Sequence, residues 1–431
     1  MQKVVIIGAG PVGLLFAHYL LNRGDYQVEI YERRLDPRLI EQSNQRTFPI
    51  ALQSRGLNAI EQIPGLKAAL ANKGVWSQGT LIHGKLGKPR RIKRETPVLL
   101  IDRNQLNLVL LENLLEQHSS DFVTVKFDCS CVGINLESQE VILQPTQNEK
   151  FTTHYDRLVG ADGARSQVRE VLSARADIHC EQDFIPEVYK SLYIPIIAPD
   201  RTVELAGNYL HTAIMGKGVR LVLAPQPGDW LHGTLIFSPD NNPLENCTTD
   251  EAVLAYFQEN CPFLRPVMRL EDAAVLCERP VSKILTVRCD RMHVGDSILL
   301  VGDAVHAVSP SIGQGCNASL QDVQVFDQCL NRHQDKWEQA LEAFTAQRLP
   351  DVHALRDLSD YNFPKSKPMM LEFIFRLSLG KKLRPWFPLL SNPLPMELVM
   401  ESTLPYSEVL KQSQGWINRV KQSMNATNNK T

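Results

Sequence analysis

VVIIGAGPVG, residues 4–13, joins an apolar run to a glycine-rich turn close to the start of the chain. The β-branched run at residues 4–7 is typical of a strand buried on both faces of a parallel sheet. Apolar residues then recur at helical spacing over residues 14–21, and a second strand is predicted at 28–31, followed by Glu32. Strand, glycine turn, helix, strand and acid in this order predict the βαβ unit that binds dinucleotides.

Four residues of this unit each have a distinct physical role. Gly8 permits the tight turn, Gly10 lets the backbone approach a pyrophosphate, and Gly13 allows the helix to pack closely on the sheet. Glu32 is placed to accept hydrogen bonds from ribose hydroxyls, while the helix N-terminus offers unpaired N–H groups to the phosphates. The unit predicts a bound dinucleotide but does not choose between NAD and FAD.

The composition is that of an ordinary enzyme. The chain has 431 residues, of which 43% are hydrophobic and 22% charged, and its formal net charge is −2. This length predicts two intergrown domains, and the charge gives no field that would favour a nucleic-acid partner. We expect no signal peptide before the first strand, no run of about 18 apolar residues that could span a membrane, and a cytoplasmic protein.

Nine cysteines are scattered along the chain. Only Cys129 and Cys131 lie close together, as C-x-C, and their spacing is not typical of a metal site. We therefore expect nine reduced thiols, most of them small core residues, and no bound metal.

The region from residue 55 to residue 145 alternates helical and strand patterns. It predicts a helix at 55–72, an alternating stretch at 75–94, a strand at 98–101, a leucine-rich helix at 106–115 capped by Asp102, and a β-meander with strands at 122–127, 132–136 and 140–144. The alternating stretch ends in a basic run, which we interpret as a solvent-exposed edge and not as a binding patch. That run consists of Arg90, Arg91, Lys93 and Arg94.

Two further turns pair glycine with an acid. In residues 157–169 a strand runs into an Asp-Gly turn and a helix, and in residues 297–306 a buried strand ends in Gly-Asp. The second strand would deliver Asp303 to a ribityl or ribose hydroxyl, and the glycines after Pro310 would open another helix onto a cofactor. Between the two turns, alternating segments predict a sheet with one face toward water or a pocket. These segments are 188–197, 208–215, 219–223 and 231–238.

Together these motifs resemble those of the single-component flavoprotein aromatic hydroxylases, the para-hydroxybenzoate hydroxylase class. A GxGxxG turn with an acid, a central DG and a late GD occur in the order and at the spacing typical of that class. Within the class, residues 3–365 are similar to the kynurenine hydroxylases. Supporting stretches are RTFPIAL at 46–52, DRNQLN at 102–107, GQGCN at 313–317 and DLSDYN at 357–362.

The resemblance implies an α/β fold with three regions. These are a Rossmann-type FAD-binding domain, an intergrown substrate domain of the α+β class built on a β-sheet, and a helical C-terminal region. We expect the FAD-binding domain at 1–75, 98–180 and 285–345, the substrate sheet at 76–97 and 181–284, and the helical region at 346–431. FAD is the implied prosthetic group, with NADPH (or NADH) as reductant. The implied cofactor-binding residues are Gly8, Gly10, Gly13, Glu32, Arg33, Ala51, Arg103, Cys131, Asp162, Gly163, Gly302, Asp303, Pro310, Gly313, Gly315, Cys316 and Asn317.

The reaction implied by the resemblance is hydroxylation of an aromatic small molecule with O2, through a C4a-hydroperoxyflavin. Because the flavin carries this chemistry, we expect no catalytic side chain, and we expect a structural role for His306. The implied partners are the aromatic substrate and O2, in a monomer or a homodimer.

The substrate contacts implied by the class are mostly replaced. The kynurenine hydroxylases have a carboxylate-binding arginine two residues before an Ile-His pair, where this chain has Thr80. Asn362 is retained, while Ile312 and Glu397 stand where aromatic residues are usual. Loss of the guanidinium removes roughly 1.5–3 kcal/mol of charge-assisted binding, so we expect a substrate that lacks an α-carboxylate or binds it differently.

Three alternatives stay open at this point. Arg90 or Arg94 could take over the role of the missing arginine. The chain could be a flavin-dependent reductase, such as the prenyl-chain reductases, or a non-catalytic binding module. An NAD dehydrogenase is disfavoured, because the DG and GD turns have no role in such an enzyme. Finally, the C-terminal helices could lie on a membrane, although a cover over the active site is favoured, since their basic residues are few. These basic residues are Lys381, Lys382 and Arg384.

Overall fold

The structure is a computed structural model, and it describes residues 1–40, 47–85, 87–175, 177–364, 366–383 and 393–428. Arg46 and Arg384, which the motifs above include, lie outside the described residues, and so do the side chains of Lys381 and Lys382. The strands are β1 (Gln2–Ile7), β2 (Tyr26–Tyr31), β3 (Pro49–Leu52), β4 (Val75–His83), β5 (Arg90–Asp102), β6 (Val123–Lys126), β7 (Cys129–Asn135), β8 (Glu140–Pro145), β9 (Phe151–His154), β10 (Arg157–Gly160), β11 (Cys180–Pro195), β12 (Leu210–Ile214), β13 (Arg220–Gln226), β14 (Trp230–Phe237), β15 (Ser282–Cys289), β16 (His293–Val294) and β17 (Ile298–Leu300). The helices are α1 (Pro11–Arg23), α2 (Ser54–Glu61), α3 (Leu66–Ala71), α4 (Arg103–Gln117), α5 (Gln167–Ala174), α6 (Asp250–Asn260), α7 (Leu270–Glu278), α8 (Asp303–His306), α9 (Gly315–Arg332), α10 (Trp337–Tyr361), α11 (Lys367–Leu383), α12 (Pro395–Glu401), α13 (Tyr406–Gln412) and α14 (Gln414–Asn428).

A six-stranded sheet, in the order β16-β17-β10-β1-β2-β6, forms the nucleotide-binding part of the fold. Its five adjacent strands from β17 to β6 are parallel, and residues Val4 to Ile7 of β1 are almost completely buried. The apolar spacing of α1 packs that helix against α9, where the rings of Phe16 and Phe326 stack at 5.5 Å. The predicted Rossmann-type α/β fold is confirmed.

An eight-stranded sheet, in the order β15-β11-β14-β13-β12-β4-β5-β3, carries two apolar layers. One layer packs it against α6 and α7, for example through Leu221, Phe257 and Leu276. The other is a small group that we call the apolar patch: Val98, Leu100 and Ala224, with Ala51 and Leu210 packed against them. Because Ala51 belongs to β3 and pairs with Leu100, the apolar patch extends to the edge strand of this sheet.

Three expectations from the sequence are wrong in detail. The helix predicted at 55–72 is two helices, α2 and α3, because Pro64 and Gly65 interrupt it and Gly65 has φ +77°. The first strand of the predicted meander, β6, instead joins the six-stranded sheet beside β2, and β7, β8 and β9 form a separate sheet. The basic run on β5 is exposed at Arg90, Arg91 and Lys93 but half-buried at Arg94.

The expectation of nine free thiols is also wrong. Cys180 and Cys289 are cross-strand neighbours in the antiparallel pair of β11 and β15, with Cα atoms 4.1 Å apart and their sulfur atoms bonded. The other seven cysteines are free. Pairing of two strands 109 residues apart brought these thiols together, which their spacing in the sequence did not indicate.

The C-terminal region packs as helices around its own apolar core. Tyr406, Val409, Trp416 and Ile417 meet residues of α10, and Ile312 belongs to the same cluster. Among the helices of the described ranges, none combines the length and apolarity needed to cross a bilayer.

Candidate active site

The first glycine turn joins β1 to α1 and leaves a space above the helix N-terminus. Gly8 has φ +108°, and a Cβ on it would lie 2.5 Å from the carbonyl oxygen of Ala161, so the position admits only glycine. A Cβ on Gly13 would lie 2.0 Å from the carbonyl oxygen of Gly8. A Cβ on Gly10 would meet nothing within 4 Å. This open space, at the positive end of the dipole of α1, suits a phosphate group.

Glu32 holds that turn in place. Its Oε2 accepts a hydrogen bond from the backbone N–H of Ala9 at 2.9 Å, and its Oε1 accepts one from the N–H of Arg34 at 2.9 Å. Each carboxylate oxygen retains further acceptor capacity, which ribose hydroxyls could use.

The Asp-Gly turn lies directly against the first glycine turn. The same Cβ on Gly8 would come within 2.8 Å of the Cα of Asp162. Oδ2 of Asp162 accepts from the N–H of Gln167 at 2.6 Å, whereas its buried Oδ1 has no partner among the described residues. Burial raises the pKa of Asp162. Burial also raises the pKa of Cys131 to about 12, and the charge of Asp162 contributes to this shift, so the two side chains are close. Gly163 follows with φ +81°. An orphaned buried oxygen at this place fits a hydrogen-bonding cofactor.

The Gly-Asp turn also packs on the first one. Gly302 has φ +63°, and a Cβ there would lie 3.2 Å from side-chain atoms of Val12 and Ser319. Its N–H donates to Oδ2 of Asp322 at 2.9 Å, and the same carboxylate binds Nε2 of His306 at 2.5 Å and Nε of Arg348 at 2.7 Å. The His306 ring therefore braces the turn that presents Asp303. All three glycine–acid turns meet at the carboxyl ends of β1, β10 and β17, where α/β sheets bind ligands.

The loop between Pro310 and α9 is attached to β3. Nδ2 of Asn317 donates to the carbonyl oxygens of Ala51 at 2.9 Å and Gly313 at 3.1 Å, and its Oδ1 accepts from the N–H of Gln53 at 2.7 Å. Gly313 has φ +65°, and Gly315 begins α9. The structure thus brings together four of the predicted cofactor residues: Ala51, Gly313, Gly315 and Asn317.

Positive charge gathers at the same cleft. The Arg34 side chain is exposed, yet the surrounding protein removes part of its hydration, and this loss together with the nearby charge of Arg103 lowers its pKa. Burial raises the pKa of Cys316 to about 12, with contributions from Asp303 and, in the opposite sense, from Arg103. The Arg103 guanidinium stacks 5.4 Å from the ring of Phe48. Two neighbouring guanidiniums favour an anionic group beside them, such as a pyrophosphate. The sequence analysis named Arg33, which is exposed, and missed Arg34 beside it.

The predicted substrate residues fall into two groups. Thr80 is half-buried on β4, where its register partners are Ile92 and Leu210. Ile312 is buried in the C-terminal core, and Asn362 at the end of α10 is fully buried, with both side-chain polar atoms unpartnered among the described residues.

Glu397 has a structural task in its own helix. It is buried, and its Oε2 accepts from the N–H of Leu394 at 2.8 Å, which caps α12. A carboxylate used in this way has less capacity left for a substrate.

A further side-chain cluster links three strands of the eight-stranded sheet to the start of α4, and it was not predicted as a unit. Asp102, the predicted helix cap, accepts from the N–H of Asn104 at 2.8 Å and from the hydroxyl of Tyr193 at 3.2 Å. Nδ1 of His232 lies 3.0 Å from the same carboxylate. Tyr193 and His232 lie on β11 and β14, so this contact holds the eight-stranded sheet against the start of α4, which carries Arg103.

A surface cavity of about 420 Å³ lies elsewhere, at the C-terminal end of α1. Its walls include Arg23, Asp327 and Asp335, and Arg23 is paired with both acids, at 2.5 and 2.6 Å. A saturated ion-pair cluster at the end of α1 remote from the glycine turn is not the cofactor site.

Comparisons with known proteins agree with this geometry. The model of a family described as "FAD binding domain" matches residues 1–359. The chain is 31% identical to kynurenine 3-monooxygenase of Salinispora tropica, over 95% of this chain and 90% of that protein, and 30% identical to kynurenine 3-monooxygenase of Sus scrofa, over 95% and 86%. Its fold is similar to the solved tetrameric form of 2-methyl-3-hydroxypyridine-5-carboxylic acid oxygenase, with a TM-score of 0.70 and 20% identity over 88% of this chain and 95% of that one.

Proposed function

We propose a substrate class for this chain, which belongs to the FAD-binding-domain family and is an FAD-dependent aromatic hydroxylase that uses NADPH and O2. The substrate is an electron-rich aromatic molecule, and it is bound without an arginine at position 80. The observation that carries this proposal is the environment of Thr80. Its register partners, Ile92 and Leu210, are apolar, and Leu210 packs on the apolar patch. An uncharged wall of this kind favours contact with an aromatic ring.

The residues present fit FAD. When bound and reduced by NADPH, FAD supplies the activation of O2 for oxygen transfer to an aromatic ring. The N-terminus of α1 would receive the pyrophosphate beside Gly10, Glu32 would accept from ribose hydroxyls, and Asp303 from the ribityl chain. Arg34 and Arg103 would neutralise the phosphates.

The protein's own contribution is to orient the substrate and to exclude water. The N-terminus of α9 at Gly315 would present N–H groups to the bound cofactor, where they would favour negative charge. The apolar patch on the sheet and the C-terminal core around Ile312 supply apolar side chains that would help to keep water from the bound substrate.

The test compares kynurenine with other aromatic amines and phenols as substrates of the purified holoenzyme. We expect NADPH oxidation that a non-kynurenine aromatic accelerates and that yields a hydroxylated product by mass spectrometry. Thr80→Arg should raise kcat/KM for kynurenine, because it restores a guanidinium at the position where the kynurenine hydroxylases have one. Ile82→Arg, two residues further along the same face of β4, is the control and should not. Hydroxylation of kynurenine by the wild type as efficiently as any other aromatic would refute the proposal.

Three related points remain predictions under this proposal. We place the enzyme in the cytoplasm, as a monomer or homodimer, and we divide it at the boundaries given above: 1–75, 98–180 and 285–345; 76–97 and 181–284; 346–431. Cell fractionation, analytical ultracentrifugation of the holoenzyme and limited proteolysis test these three points in turn.

A further inference from the structure

We propose that Arg94 forms an anion subsite in the substrate chamber, where it binds a carboxylate attached to the aromatic substrate. This inference rests on the proposed function and names the substrate class more narrowly. It also answers why Thr80 can replace an arginine: the positive charge is supplied from the neighbouring strand, β5.

The strand register places Arg94 on the side of the sheet that carries Thr80. Ile92 is the direct partner of Thr80 across β4 and β5, so their side chains share a face. Arg94 is two residues further along β5. Ile92 and Arg94 are half-buried whereas Lys93 and Glu95 are exposed, which places Arg94 on the side of Ile92. The next buried residue along the strand is Val98, a member of the apolar patch. Arg94 therefore lies between Thr80's partner and the apolar patch.

The pairing between β4 and β5 is irregular at this point. The register shifts between Ser77 and Gly79, so that residues 94–97 of β5 are out of step with β4. Irregularities of this kind commonly re-aim a side chain beside a functional site. Arg90, Arg91 and Lys93 project into solvent, whereas Arg94 does not.

The charge on Arg94 has no counter-charge within the described part of the chain. None of the hydrogen bonds, ion pairs or ring contacts found there involves its guanidinium, and burial alone lowers its pKa. Other buried arginines differ: Arg348 pairs with Asp322 and Asp351, and Arg55 donates to two backbone carbonyls. A half-buried charge without a counter-charge has lost part of its hydration, and a ligand carboxylate would compensate for that loss. Partial accessibility to solvent leaves this ligand a way in.

The chemistry of the site selects a carboxylate. A guanidinium presents a planar fork that matches a carboxylate in two parallel hydrogen bonds. The adjoining apolar patch would take the ring that bears it. Thr80, Ile92 and Leu210, which share this face, carry no charge of their own.

The experiment measures binding to the oxidised holoenzyme, by the change in flavin absorbance, for acids and their uncharged amides. The probes are 2-aminobenzoate with 2-aminobenzamide and 3-hydroxybenzoate with 3-hydroxybenzamide. We expect the wild type to bind each acid at least about tenfold more tightly than its amide, the size expected for a charge-assisted pair. Arg94→Gln should abolish this preference, and Arg94→Lys should keep part of it because it keeps the charge. Lys93→Gln, which removes a charge from the opposite face of β5, should leave it intact.

Thermal unfolding of the same proteins separates this role from a structural one. Because Arg94→Gln removes a half-buried charge that has no counter-charge, the variant should unfold at a temperature no lower than the wild type, while the acids should stabilise only the wild type. An acid preference that survives in Arg94→Gln would overturn the inference, and so would its absence from the wild type, including failure of the acids to bind at millimolar concentration. If Arg94→Gln changed only the KM for NADPH, that result would also overturn the inference. Because binding is read without turnover, an acid preference in a protein that hydroxylates nothing would refute the proposed function and leave the subsite standing.

Discussion

The hydroxyl of Tyr406 donates a hydrogen bond to Oε1 of Gln314, with the two oxygens 2.8 Å apart, although the residues are 92 positions apart in the chain. Gln314 in turn donates through Nε2 to Oε1 of Gln53 at 2.7 Å. All three side chains are buried. The loop before α9 is therefore held between the end of β3 and the first residue of α13.

Tyr406→Phe should loosen this loop without unfolding the protein. Loss of one buried hydrogen bond costs about 1 kcal/mol, and Gln314 would be left without its partner. Because Gln314 precedes the helix that faces the cofactor, we expect less hydroxylated product for each NADPH consumed. Tyr19→Phe is the control, since it removes a comparable bond, to the carbonyl oxygen of Ala59 at 2.6 Å, behind α1. Equal coupling of product to NADPH in both variants would contradict this role for Tyr406.

Asp322→Asn should be among the most damaging single changes in the protein. Asp322 is fully buried and holds His306, Arg348 and the N–H of Gly302 together. Breaking a buried ion pair typically costs about 3–5 kcal/mol, and here it would also release the turn that presents Asp303. We expect a lower unfolding midpoint in urea and loss of bound flavin.

Asp327→Asn, one and a half turns further along α9, provides the matched control. Its ion pair with Arg23 is partly exposed, so the loss should stay within about 1 kcal/mol. If the two variants unfolded alike and retained flavin alike, the buried network would not be what positions the Gly302 turn.

Gly10→Ala and Gly13→Ala should separate cofactor binding from folding. A Cβ at Gly13 collides with the carbonyl oxygen of Gly8, which should destabilise the apoprotein by about 1–3 kcal/mol. A Cβ at Gly10 meets no protein atom and needs no unusual φ, so the apoprotein should fold normally. It would occupy the space that the pyrophosphate needs and should raise the Kd for FAD by about tenfold or more. Urea unfolding of apoprotein and fluorescence titration with FAD measure the two effects, and normal FAD affinity in Gly10→Ala would contradict the placement of the phosphates.

The features that the sequence predicted well are local ones. Each depends on a few neighbouring residues: the three glycine–acid turns, the helix cap at Asp102 and the strands that precede the turns. Because these strands are parallel, their carboxyl ends, and therefore the turns, lie at one edge of the sheet. The features that it did not predict depend on distant pairing. Strand β6 has the composition of any edge strand, so its pattern could not tell which sheet it joins. The split at Pro64 and Gly65 was visible in the sequence and should have ended the predicted helix.

The substrate side shows the same division. Thr80 and Arg94 are 14 positions apart, and the strand alternation of each was predictable. The register between β4 and β5 was not, because an irregularity lies between Ser77 and Gly79. Arg34 and Tyr406 gave no signal of their own, since their roles arise from contacts across the fold. Gln314 was marked only as part of the GQGCN stretch, and its bond to Tyr406 was not predictable.

Reduction of the Cys180–Cys289 disulfide should weaken the junction of β11 and β15. The bond closes a loop of 109 residues, and loss of such a cross-link typically costs about 2–5 kcal/mol. We expect two fewer thiols to react with a thiol reagent in denatured, unreduced protein than after reduction, and a lower melting temperature in reductant. Cys180→Ser with Cys289→Ser should remove both differences, whereas Cys247→Ser, at a half-buried free thiol, should not. Nine reactive thiols without reductant would show that the pair is not oxidised.

His83 and His211 should make the protein lose stability in mild acid. Nε2 of His83 lies 3.0 Å from Nδ1 of His211, both side chains are buried, and the ring of Phe263 covers His83 at 3.6 Å. Burial and, as the smaller cause, the neighbouring His211 together lower the pKa of His83 to about 4; burial also lowers the pKa of His211.

The direction of the pH dependence follows from these lowered values. The unfolded chain binds protons at His83 from about pH 6.5 downward, whereas the folded protein does not until about pH 4. The stabilisation is therefore complete above about pH 6.5 and is lost as the pH falls toward 4, by up to about 3 kcal/mol for this residue. His83→Asn should be less stable than the wild type at pH 7.5, yet its free energy of unfolding in urea should fall less steeply between pH 6.5 and 4. The control, His154→Gln, changes an exposed imidazole and should keep the wild-type slope. A His83→Asn slope equal to that of the wild type would mean that the buried pair takes up its proton in the folded protein as readily as in the unfolded chain.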